Sequence, residues 1–550
     1  MKTTKNIARL AVTAGLTAAL SFGGVMATVT MAFAAEGAAP SYSLTINKSV
    51  DNDSTSFKAY QIFKADVIDG KSGKVASNIE WASDDAETAV LKVLVDNNAP
   101  GITLDSTASD VADYLSKITD TTSLPQSSIL NKIALAVEKS VTATGDSFAA
   151  GRAFTTTSAG YYLFMTDTDS LSANEKQTGT SPIFAVVGGN AVVVTEKTSI
   201  PTVTKQVKDD GADNDWKYKA DSQMGQTVQY KLTGTVASNV DTFSTYYYEF
   251  HDELSAGLTV DKSTVKAVIG ETQITPTSVT VSDPDSNGRT VLSVKFDDLK
   301  AAATAAGVTV GEHTRVVVTY SAKLDPNKSQ HVVVGGTGNS NTVKLIYSNN
   351  PGHDSRGESV PDTVRDYTYA LKLVKKDATD ENKILKGVKF TIRATDPDDI
   401  ASKDMYVQEN GSLGTEAYEF TTTDSGEINV KGLDAGTYTV KETHTLAGYN
   451  TIPEFTFTIK AIGFNQAEGE GENKITVKTS TRGSNLVEVD TTNTDNGTAA
   501  LIVKNKQGSG LPLTGLNGVT FTWIAGGAVL CIGVAHLIRS RKQAEESEQE

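Results

Sequence analysis

Short stretches in which apolar and polar residues alternate recur along most of this chain of 550 residues, and Gly, Asn and Asp residues separate them. Residues 228–232 are one such stretch, and residues 316–320, which are rich in β-branched residues, are a second strand-like run. Since successive side chains of a β-strand point to opposite faces of a sheet, this period of two predicts strands with one buried face. The pattern favours an all-β chain built from packed sheets with many turns.

The length of the chain predicts several such domains rather than one. Once its two hydrophobic ends are set aside, roughly 475 residues remain, which is about three domains of ~150 residues each. We expect tandem immunoglobulin-like β-sandwiches over residues 41–196, 200–366 and 367–508. Helical spacing interrupts the strand pattern in the first domain, where we expect a helical insertion. The apolar residues with that spacing are Val111, Tyr114, Leu115, Ile118, Leu130, Ile133, Ala134, Val137 and Val141.

The N-terminus has the features of a secretory signal peptide. Lys2, Lys5 and Arg9 precede an apolar region over residues 10–33, and small alanine residues end it. Such an arrangement suits signal peptidase, so we expect residues 1–34 to be removed and the remainder to be exported. A retained membrane anchor is the alternative, but the abundance of Gly, Ala and Thr in this region favours cleavage.

A second apolar segment lies near the C-terminus. Residues 519–538 are long and apolar enough to cross a membrane as a helix, and Arg539, Arg541 and Lys542 follow directly. These cations predict that the tail over residues 539–550 stays in the cytoplasm. The motif that precedes this segment consists of Leu511, Pro512, Leu513, Thr514 and Gly515. The order of motif, span and tail is similar to the sorting signal of Gram-positive cell-wall proteins. That resemblance implies a membrane-spanning precursor, which a sortase cleaves after Thr514 and joins to an amine.

Composition excludes several classes of function. The formal net charge of -16 and the pI near 5.0 argue against a nucleic-acid partner, because phosphate binding needs clustered Lys and Arg. The single cysteine, Cys531, lies in the C-terminal apolar segment, so we expect no disulfide or cysteine metal site in the exported part. The 6 histidines are scattered, and neither HExxH nor GxSxG occurs. We therefore expect no enzyme activity, cofactor or metal.

Several further segments share residue patterns with one family of surface proteins. They are residues 59–63 and 160–164 in the first domain, 201–205, 250–254 and 341–351 in the second, and 385–390 and 436–443 in the third. On these segments the chain resembles the backbone subunit of a sortase-assembled Gram-positive pilus. The third domain is similar to a collagen-adhesin B-type (CnaB) domain, and residues 436–443 are similar to its pilin E-box. The resemblance implies Cna-type sandwiches along nearly the whole chain.

The resemblance also implies autocatalytic amide (isopeptide) bonds between Lys and Asn side chains. Such a bond needs an unprotonated amine, a carboxamide carbon and an acid that moves protons to departing ammonia, and burial favours the neutral forms. In the third domain it implies Lys375 as nucleophile, Asn505 as electrophile and Glu442 as acid. Alternation favours Lys375 over Lys376, since Leu373 and Lys375 share one face. A bond from the first to the last strand would carry tension past the domain core.

The corresponding residues of the second domain are Lys205, Asp252 and Asn341. Alternatives that lie near them in sequence are Lys208, Glu253 and Asn349. Without the resemblance, such lysines would be interpreted as solvated strand charges and such asparagines as turn residues. The first domain shows no clear trio, and we assign it no internal crosslink.

The family places its pilin-motif lysine just before the second domain, where this chain has Lys197. Glu196 departs from the Tyr-Pro-Lys form common in the family, so a neighbouring lysine remains an alternative. The resemblance implies that sortase transfers the acyl group of Thr514 to Lys197 of the next subunit. The product would be a head-to-tail fibre.

The implied partners are pilin-specific and housekeeping sortases, other copies of the chain, accessory pilins and peptidoglycan. The alternative function is a monomeric LPxTG adhesin of the cell wall, which would share the sandwiches and the sorting motif but would not need Lys197. A wall-attached hydrolase is disfavoured by the missing catalytic motifs. Host glycan, collagen, mucin and other bacteria are all open as adhesion ligands, and a shaft, basal or accessory position is equally open.

Overall fold

The computed structural model of the chain describes residues 40–48, 55–70, 73–118, 124–172, 176–196, 198–208, 215–397, 399–462, 474–480 and 485–508. The predicted signal peptide, Lys197, the sorting motif, the apolar segment 519–538 and the tail 539–550 lie outside these residues. Within the described residues, no helix combines the length and apolar character needed to cross a membrane. Strands dominate and form three successive β-sandwiches, which confirms the predicted all-β class.

The first domain packs a five-stranded sheet near a three-stranded sheet. Its elements are β1 (Tyr42–Asn47), β2 (Ser56–Gly70), β3 (Gly73–Trp81), α1 (Asp84–Asp96), α2 (Ala108–Ser116), α3 (Ile129–Ser140), β4 (Phe148–Ala149), β5 (Ala153–Thr156), β6 (Gly160–Thr166), α4 (Thr168–Ser172), β7 (Ile183–Val187) and β8 (Val192–Thr195). The strand orders are β3-β2-β6-β7, with β4 beside β2, and β5-β1-β8. Helices α1 to α3 therefore form an insertion between two strands of one sheet.

Local sequence explains these three helices. Ser83, Thr107 and Ser128 each cap a helix by accepting a backbone hydrogen bond in its first turn. Val111 and Ile133, which carry the helical spacing, lie in the same buried core as the residues of β6. The predicted sandwich with a helical insertion is confirmed.

The second domain encloses one large core between a six-stranded and a seven-stranded sheet. Its elements are β9 (Val203–Lys208), β10 (Trp216–Lys217), β11 (Lys219–Asp221), β12 (Thr227–Thr235), β13 (Tyr248–Leu254), β14 (Leu258–Ile269), β15 (Thr272–Ile274), β16 (Ser278–Val281), β17 (Thr290–Phe296), α5 (Leu299–Ala305), β18 (Arg315–Leu324), β19 (Asn339–Ser348), β20 (Arg356–Glu358) and β21 (Asp362–Tyr367). The orders are β10-β9-β12-β18-β14-β15 and β11-β21-β19-β13-β17-β16, with β20 beside β19. Strands β9 and β18 thus face β13 and β19 across the core.

The third domain packs a four-stranded sheet against a seven-stranded sheet. Its strands are β22 (Tyr369–Asp377), β23 (Lys389–Pro397), β24 (Tyr406–Val407), β25 (Leu413–Gly414), β26 (Phe420–Thr421), β27 (Glu427–Leu433), β28 (Gly436–His444), β29 (Phe455–Ile462), β30 (Lys474–Ser480), β31 (Val487–Asp490) and β32 (Thr498–Asn505). The smaller sheet has the order β27-β22-β32-β31, in which β22 and β32 are parallel neighbours. Because its first and last strands run the same way, the chain enters this domain at one end and leaves it at the other.

A buried glutamine joins the second and third domains. Gln223 Nε2 donates hydrogen bonds to the carbonyl oxygens of Gly411 and Gly432, the latter at 2.6 Å. Its Oε1 accepts from the Asp434 amide at 3.2 Å and from the Tyr438 hydroxyl at 3.1 Å. One side chain of the second domain is therefore held at four points by the third, which couples the two sandwiches.

Candidate functional sites in the second and third domain cores

Strand alternation places a lysine inside the third domain. Along β22 every second residue is buried, so Leu373 and Lys375 face the core while Lys376 is half-buried on the other face. Glu442 comes from β28 of the opposite sheet, and Asn505 ends β32 beside β22. All three candidate residues are buried, with 0 % of Lys375 and Asn505 and 4 % of Glu442 exposed.

The three side chains of this cluster contact one another. In the parallel register Asn505 pairs with Asp377, so it lies two residues beyond the partner of Lys375 and on the same face. Lys375 Nζ donates to Asn505 Oδ1 and lies 3.2 Å from Glu442 Oε2. Glu442 Oε1 accepts a 2.8 Å hydrogen bond from Asn505 Nδ2. The acid therefore touches both the amine and the carboxamide nitrogen.

Burial lowers the pKa of the lysine in this cluster. Desolvation lowers the pKa of Lys375 from 10.5 to about 8, against the opposing attraction of Glu442. The ring of Phe390 covers the amine, with its centroid 5.6 Å from Nζ. At pH 7 an amine with this pKa is unprotonated in about a tenth of the molecules, far more than for a solvated lysine. Lys375 is thus available as a nucleophile at neutral pH.

The second domain brings its predicted residues together across the sandwich. Lys205 projects from β9 of the six-stranded sheet, while Asp252 and Asn341 project from the neighbouring strands β13 and β19 of the other sheet. Each of the three is 0 % exposed. Desolvation lowers the pKa of Lys205 to about 8, although the charge and hydrogen bond of Asp252 act in the opposite direction.

A tyrosine hydroxyl completes this second cluster. Lys205 Nζ donates to both carboxylate oxygens of Asp252, at 2.6 Å for Oδ2, and lies 3.1 Å from Tyr320 Oη. Tyr320 Oη donates to Asp252 Oδ2 at 2.6 Å and accepts from Asn341 Nδ2 at 2.7 Å. Among the described residues no hydrogen bond joins Asn341 directly to Lys205 or Asp252, so Tyr320 lies between them.

Sequence reasoning missed two members of these clusters. Tyr320 follows Val316 and Val318 on the buried face of β18, so alternation could have marked it as a core residue but not as a partner of Lys205. Thr445 Oγ1 accepts a 2.6 Å hydrogen bond from Asn505 Nδ2, and nothing in the sequence distinguishes it from other threonines.

The structure places the alternative residues of the second domain elsewhere. Lys208 is half-buried, with Nζ 5.9 Å from the ring centre of Trp216. Glu253 forms a 2.7 Å ion pair with Arg289 at the surface. Asn349 is buried, but its Oδ1 accepts from Ser355 at 2.6 Å. None of the three joins the cluster.

The first domain lacks a comparable cluster in its described part. None of its described lysines is buried; Lys58, which pairs with Asp167 at 2.8 Å, keeps 39 % of its side chain exposed. Strand β8 ends at Thr195, two residues before Lys197, and forms an edge of its sheet because it pairs with β1 alone. The segment that leads to the candidate pilin lysine is therefore the edge of a sheet.

Known proteins are similar to this chain in sequence family and in fold. Residues 370–474 match the family described as SpaA, prealbumin-like fold domain. The T6 backbone pilin of serotype M6 Streptococcus pyogenes, which has a modular three-domain structure, shares the fold with a TM-score of 0.51 at 14 % identity, covering 85 % of this chain and 98 % of the pilin. A search of curated protein sequences finds no match.

Two pilins of Corynebacterium diphtheriae are also among the similar structures. The full-length major pilin SpaD is 18 % identical with a TM-score of 0.45, covering 85 % of this chain and 97 % of SpaD. The major pilin SpaA is 12 % identical with a TM-score of 0.44, covering 85 % of this chain and 100 % of SpaA. At the level of the fold, the family match and the T6 pilin agree with the resemblance found in the sequence. Residues 370–474 thus form a SpaA-type prealbumin-like domain, and the chain has the three-domain fold of a Gram-positive backbone pilin.

Proposed function

We propose that this chain is the major backbone subunit of a covalent pilus (fimbria), which sortase assembles on a Gram-positive cell surface and which supports adhesion. The observation that carries the proposal is the pair of buried Lys, acid and Asn clusters, Lys375–Glu442–Asn505 and Lys205–Asp252–Asn341, in a chain with a backbone-pilin fold. Buried ionisable groups destabilise a core unless they are paired or serve a reaction. Amide formation within each cluster removes the buried amine.

The geometry of the third-domain cluster supports one reaction. The unprotonated amine of Lys375 attacks the carboxamide carbon of Asn505 and forms a tetrahedral intermediate. Glu442, which touches Nζ and Nδ2, takes one proton from Nζ and gives one to Nδ2, so that the carbon–nitrogen bond breaks and ammonia leaves. The product is an amide between Lys375 and Asn505, and Glu442 holds the same number of protons as at the start. Proximity in a rigid core supplies much of the acceleration.

The two internal bonds would direct tension around the cores. In the third domain the bond would connect the parallel neighbours β22 and β32, the first and last strands. In the second domain Lys205 lies on the first strand, but Asn341 lies on β19, with β20 and β21 still to follow. A bond from the first to the last strand is therefore expected in the third domain. In the second domain the bond would leave β20 and β21 outside the crosslinked segment.

Polymerisation would use a bond between subunits. We propose that sortase cleaves after Thr514 and transfers the acyl group to Lys197 of the next subunit, so that the chain is a sortase substrate rather than an enzyme. Peptidoglycan would receive only the last subunit of the fibre. The edge strand β8, which ends two residues before Lys197 in the sequence, supports this choice because an edge strand presents unpaired backbone groups to a second protein.

Intact mass tests the internal bonds. The chain produced as residues 35–514 should weigh about 34 Da less than its sequence requires, or about 17 Da for each ammonia lost. Tryptic peptides should contain the pairs Lys375–Asn505 and Lys205–Asn341 in crosslinked form. A mass equal to that of the plain sequence would refute both bonds.

A gel of cell-wall extract tests the fibre. Wild-type cells should give a ladder of high-mass species that resists SDS, and Lys197→Ala should reduce it to monomer. Lys92→Ala is a matched control, since Lys92 is an exposed lysine of the first domain and, among the described residues, pairs with Asp96 in the adjacent helical turn. A monomer in wild-type cells would support the alternative, a monomeric LPxTG adhesin, and a ladder that persists in Lys197→Ala would exclude Lys197 as the linkage residue.

A further inference from the structure

The two clusters differ in how the acid reaches the carboxamide. In the third domain Glu442 Oε1 accepts directly from Asn505 Nδ2 at 2.8 Å. In the second domain the hydrogen bonds of the Asp252 carboxylate, within the described residues, go only to Lys205 and Tyr320. The carboxamide nitrogen of Asn341 instead donates to Tyr320 Oη at 2.7 Å. The second cluster therefore lacks the direct contact through which an acid would protonate the leaving nitrogen.

We propose that Tyr320 is a catalytic residue of the second-domain bond and that its hydroxyl carries the proton from Asp252 to the departing nitrogen of Asn341. This inference rests on the proposed isopeptide chemistry and assigns that chemistry a further participant. The Tyr320 hydroxyl touches all three reacting groups, at 2.6 Å from Asp252 Oδ2, 2.7 Å from Asn341 Nδ2 and 3.1 Å from Lys205 Nζ.

The proton transfers balance through this hydroxyl. The amine of Lys205 attacks the carboxamide carbon of Asn341, and the Asp252 carboxylate takes the surplus proton of Nζ. The hydroxyl of Tyr320 gives its proton to Nδ2 and takes in return the proton that Asp252 has received, so the carbon–nitrogen bond breaks and ammonia leaves. The products are one amide, one ammonia, an intact tyrosine and the Asp252 carboxylate.

Packing holds Tyr320 in place for this role. Its ring stacks on Tyr230 of the neighbouring strand β12, with centroids 5.2 Å apart and an interplanar angle of 14°. The amine of Lys205 lies 5.4 Å from the centroid of each ring. Only 2 % of Tyr320 is exposed, and burial raises the pKa of its hydroxyl well above 10. The hydroxyl thus keeps its proton at neutral pH and can pass it on.

Tyr320→Phe removes this hydroxyl and keeps the ring. The matched control is Tyr248→Phe, because Tyr248 is buried in the same core and its hydroxyl donates at 2.8 Å to the Thr235 carbonyl instead of to the cluster. Residues 35–514 would be made by cell-free synthesis that is stopped at a set time, and intact mass would then be followed. Tryptic mapping would assign each decrement of about 17 Da to its domain.

We expect Tyr320→Phe to form the second-domain bond about 100-fold more slowly than wild type, within the range of one general acid–base catalyst. The third-domain bond of the same molecules should form at the wild-type rate, as should both bonds of Tyr248→Phe. A wild-type rate for the Lys205–Asn341 bond in Tyr320→Phe would overturn the inference. Absence of that bond from the wild-type chain would instead overturn the proposed function of this cluster.

A second measurement separates proton transfer from folding. Cell-free synthesis with 3-fluorotyrosine in place of tyrosine makes the hydroxyl more acidic with almost no change of shape. We expect the rate of the second-domain bond to rise by about twofold or more, since general acid catalysis responds to the acidity of the donor. The third-domain cluster contains no tyrosine hydroxyl among its described contacts and should keep its rate. An unchanged second-domain rate would contradict the role of Tyr320.

Discussion

Removal of Glu442 should abolish the third-domain bond and so destabilise that domain. The length of the loop that the bond closes predicts the size of the loss in the free energy of unfolding. The Lys375–Asn505 bond would span a sequence separation of 130 residues. By the relation used for covalent crosslinks, closing a loop of that size removes about 5 kcal/mol of chain entropy from the unfolded state. For a domain of roughly 140 residues, 1 kcal/mol corresponds to about 3 °C in Tm, so Glu442→Ala should lower the transition by about 15 °C.

Calorimetry on residues 35–514, combined with intact mass, measures both effects in one sample. We expect Glu442→Ala to weigh one ammonia more than wild type, after allowance for the substitution, and to shift only the third-domain transition. Asn505→Ala should show the same shift although it keeps the acid. Glu419→Ala is the matched control, because Glu419 belongs to the same domain but pairs with Lys389 at the surface.

Three results would refute this reasoning. If Glu442→Ala still forms the bond, then the acid is not required for the reaction. If the bond is lost but Tm falls by only a few degrees, then the crosslink does not stabilise the domain through the entropy of the unfolded chain. A fall that occurs in Glu442→Ala but not in Asn505→Ala would assign the loss to the unpaired Lys375 amine rather than to the missing bond.

Two further predictions concern pH and force. In Asn505→Ala the amine of Lys375 stays free, and its folded pKa of about 8 lies below the unfolded value of 10.5, so the unfolded state binds the proton more tightly. The stability of this variant relative to wild type should therefore rise by about 3 kcal/mol between pH 8 and 10.5, measured by urea unfolding. When the wild-type chain is pulled from its ends, only residues 342–374 should extend between the two crosslinks. This segment adds a contour length of about 110 Å. Asn341→Ala should add residues 206–340, about 450 Å, in single-molecule pulling.

Each of these predictions has a control and a contradicting result. Wild type serves as the pH reference because the nitrogen of its Lys375 is part of an amide and no longer titrates. If the difference in stability between Asn505→Ala and wild type stays constant from pH 8 to 10.5, then the buried amine is not desolvated. For the pulling experiment, Tyr248→Phe should extend like wild type. A step of about 450 Å in wild-type molecules that carry both mass decrements would show that the bond does not protect the second core.

Much of the fold could be predicted from local sequence. The alternation along β9 and β22 indicates strands with one buried face, and it selects Lys375 over Lys376 before any contact is known, because side chains of a strand alternate between its faces. Helical spacing and polar caps likewise identify the insertion of the first domain. These signals are local, since each depends on residues within one or two turns or strands.

The sequence by itself thus determined the strand-rich domains, the buried faces and, through the family resemblance, the two trios of residues. Only the tertiary structure decided how each trio meets. Lys205 and Tyr320 are 115 residues apart in the chain, and their contact depends on the registers of the adjacent strands β9, β12 and β18 in one sheet. Their contacts with Asp252 depend on the packing of that sheet against the other. No periodicity within one strand records that register, because it arises from the combined packing of the whole core. For this reason the acid meets the carboxamide directly in one domain and through a tyrosine in the other.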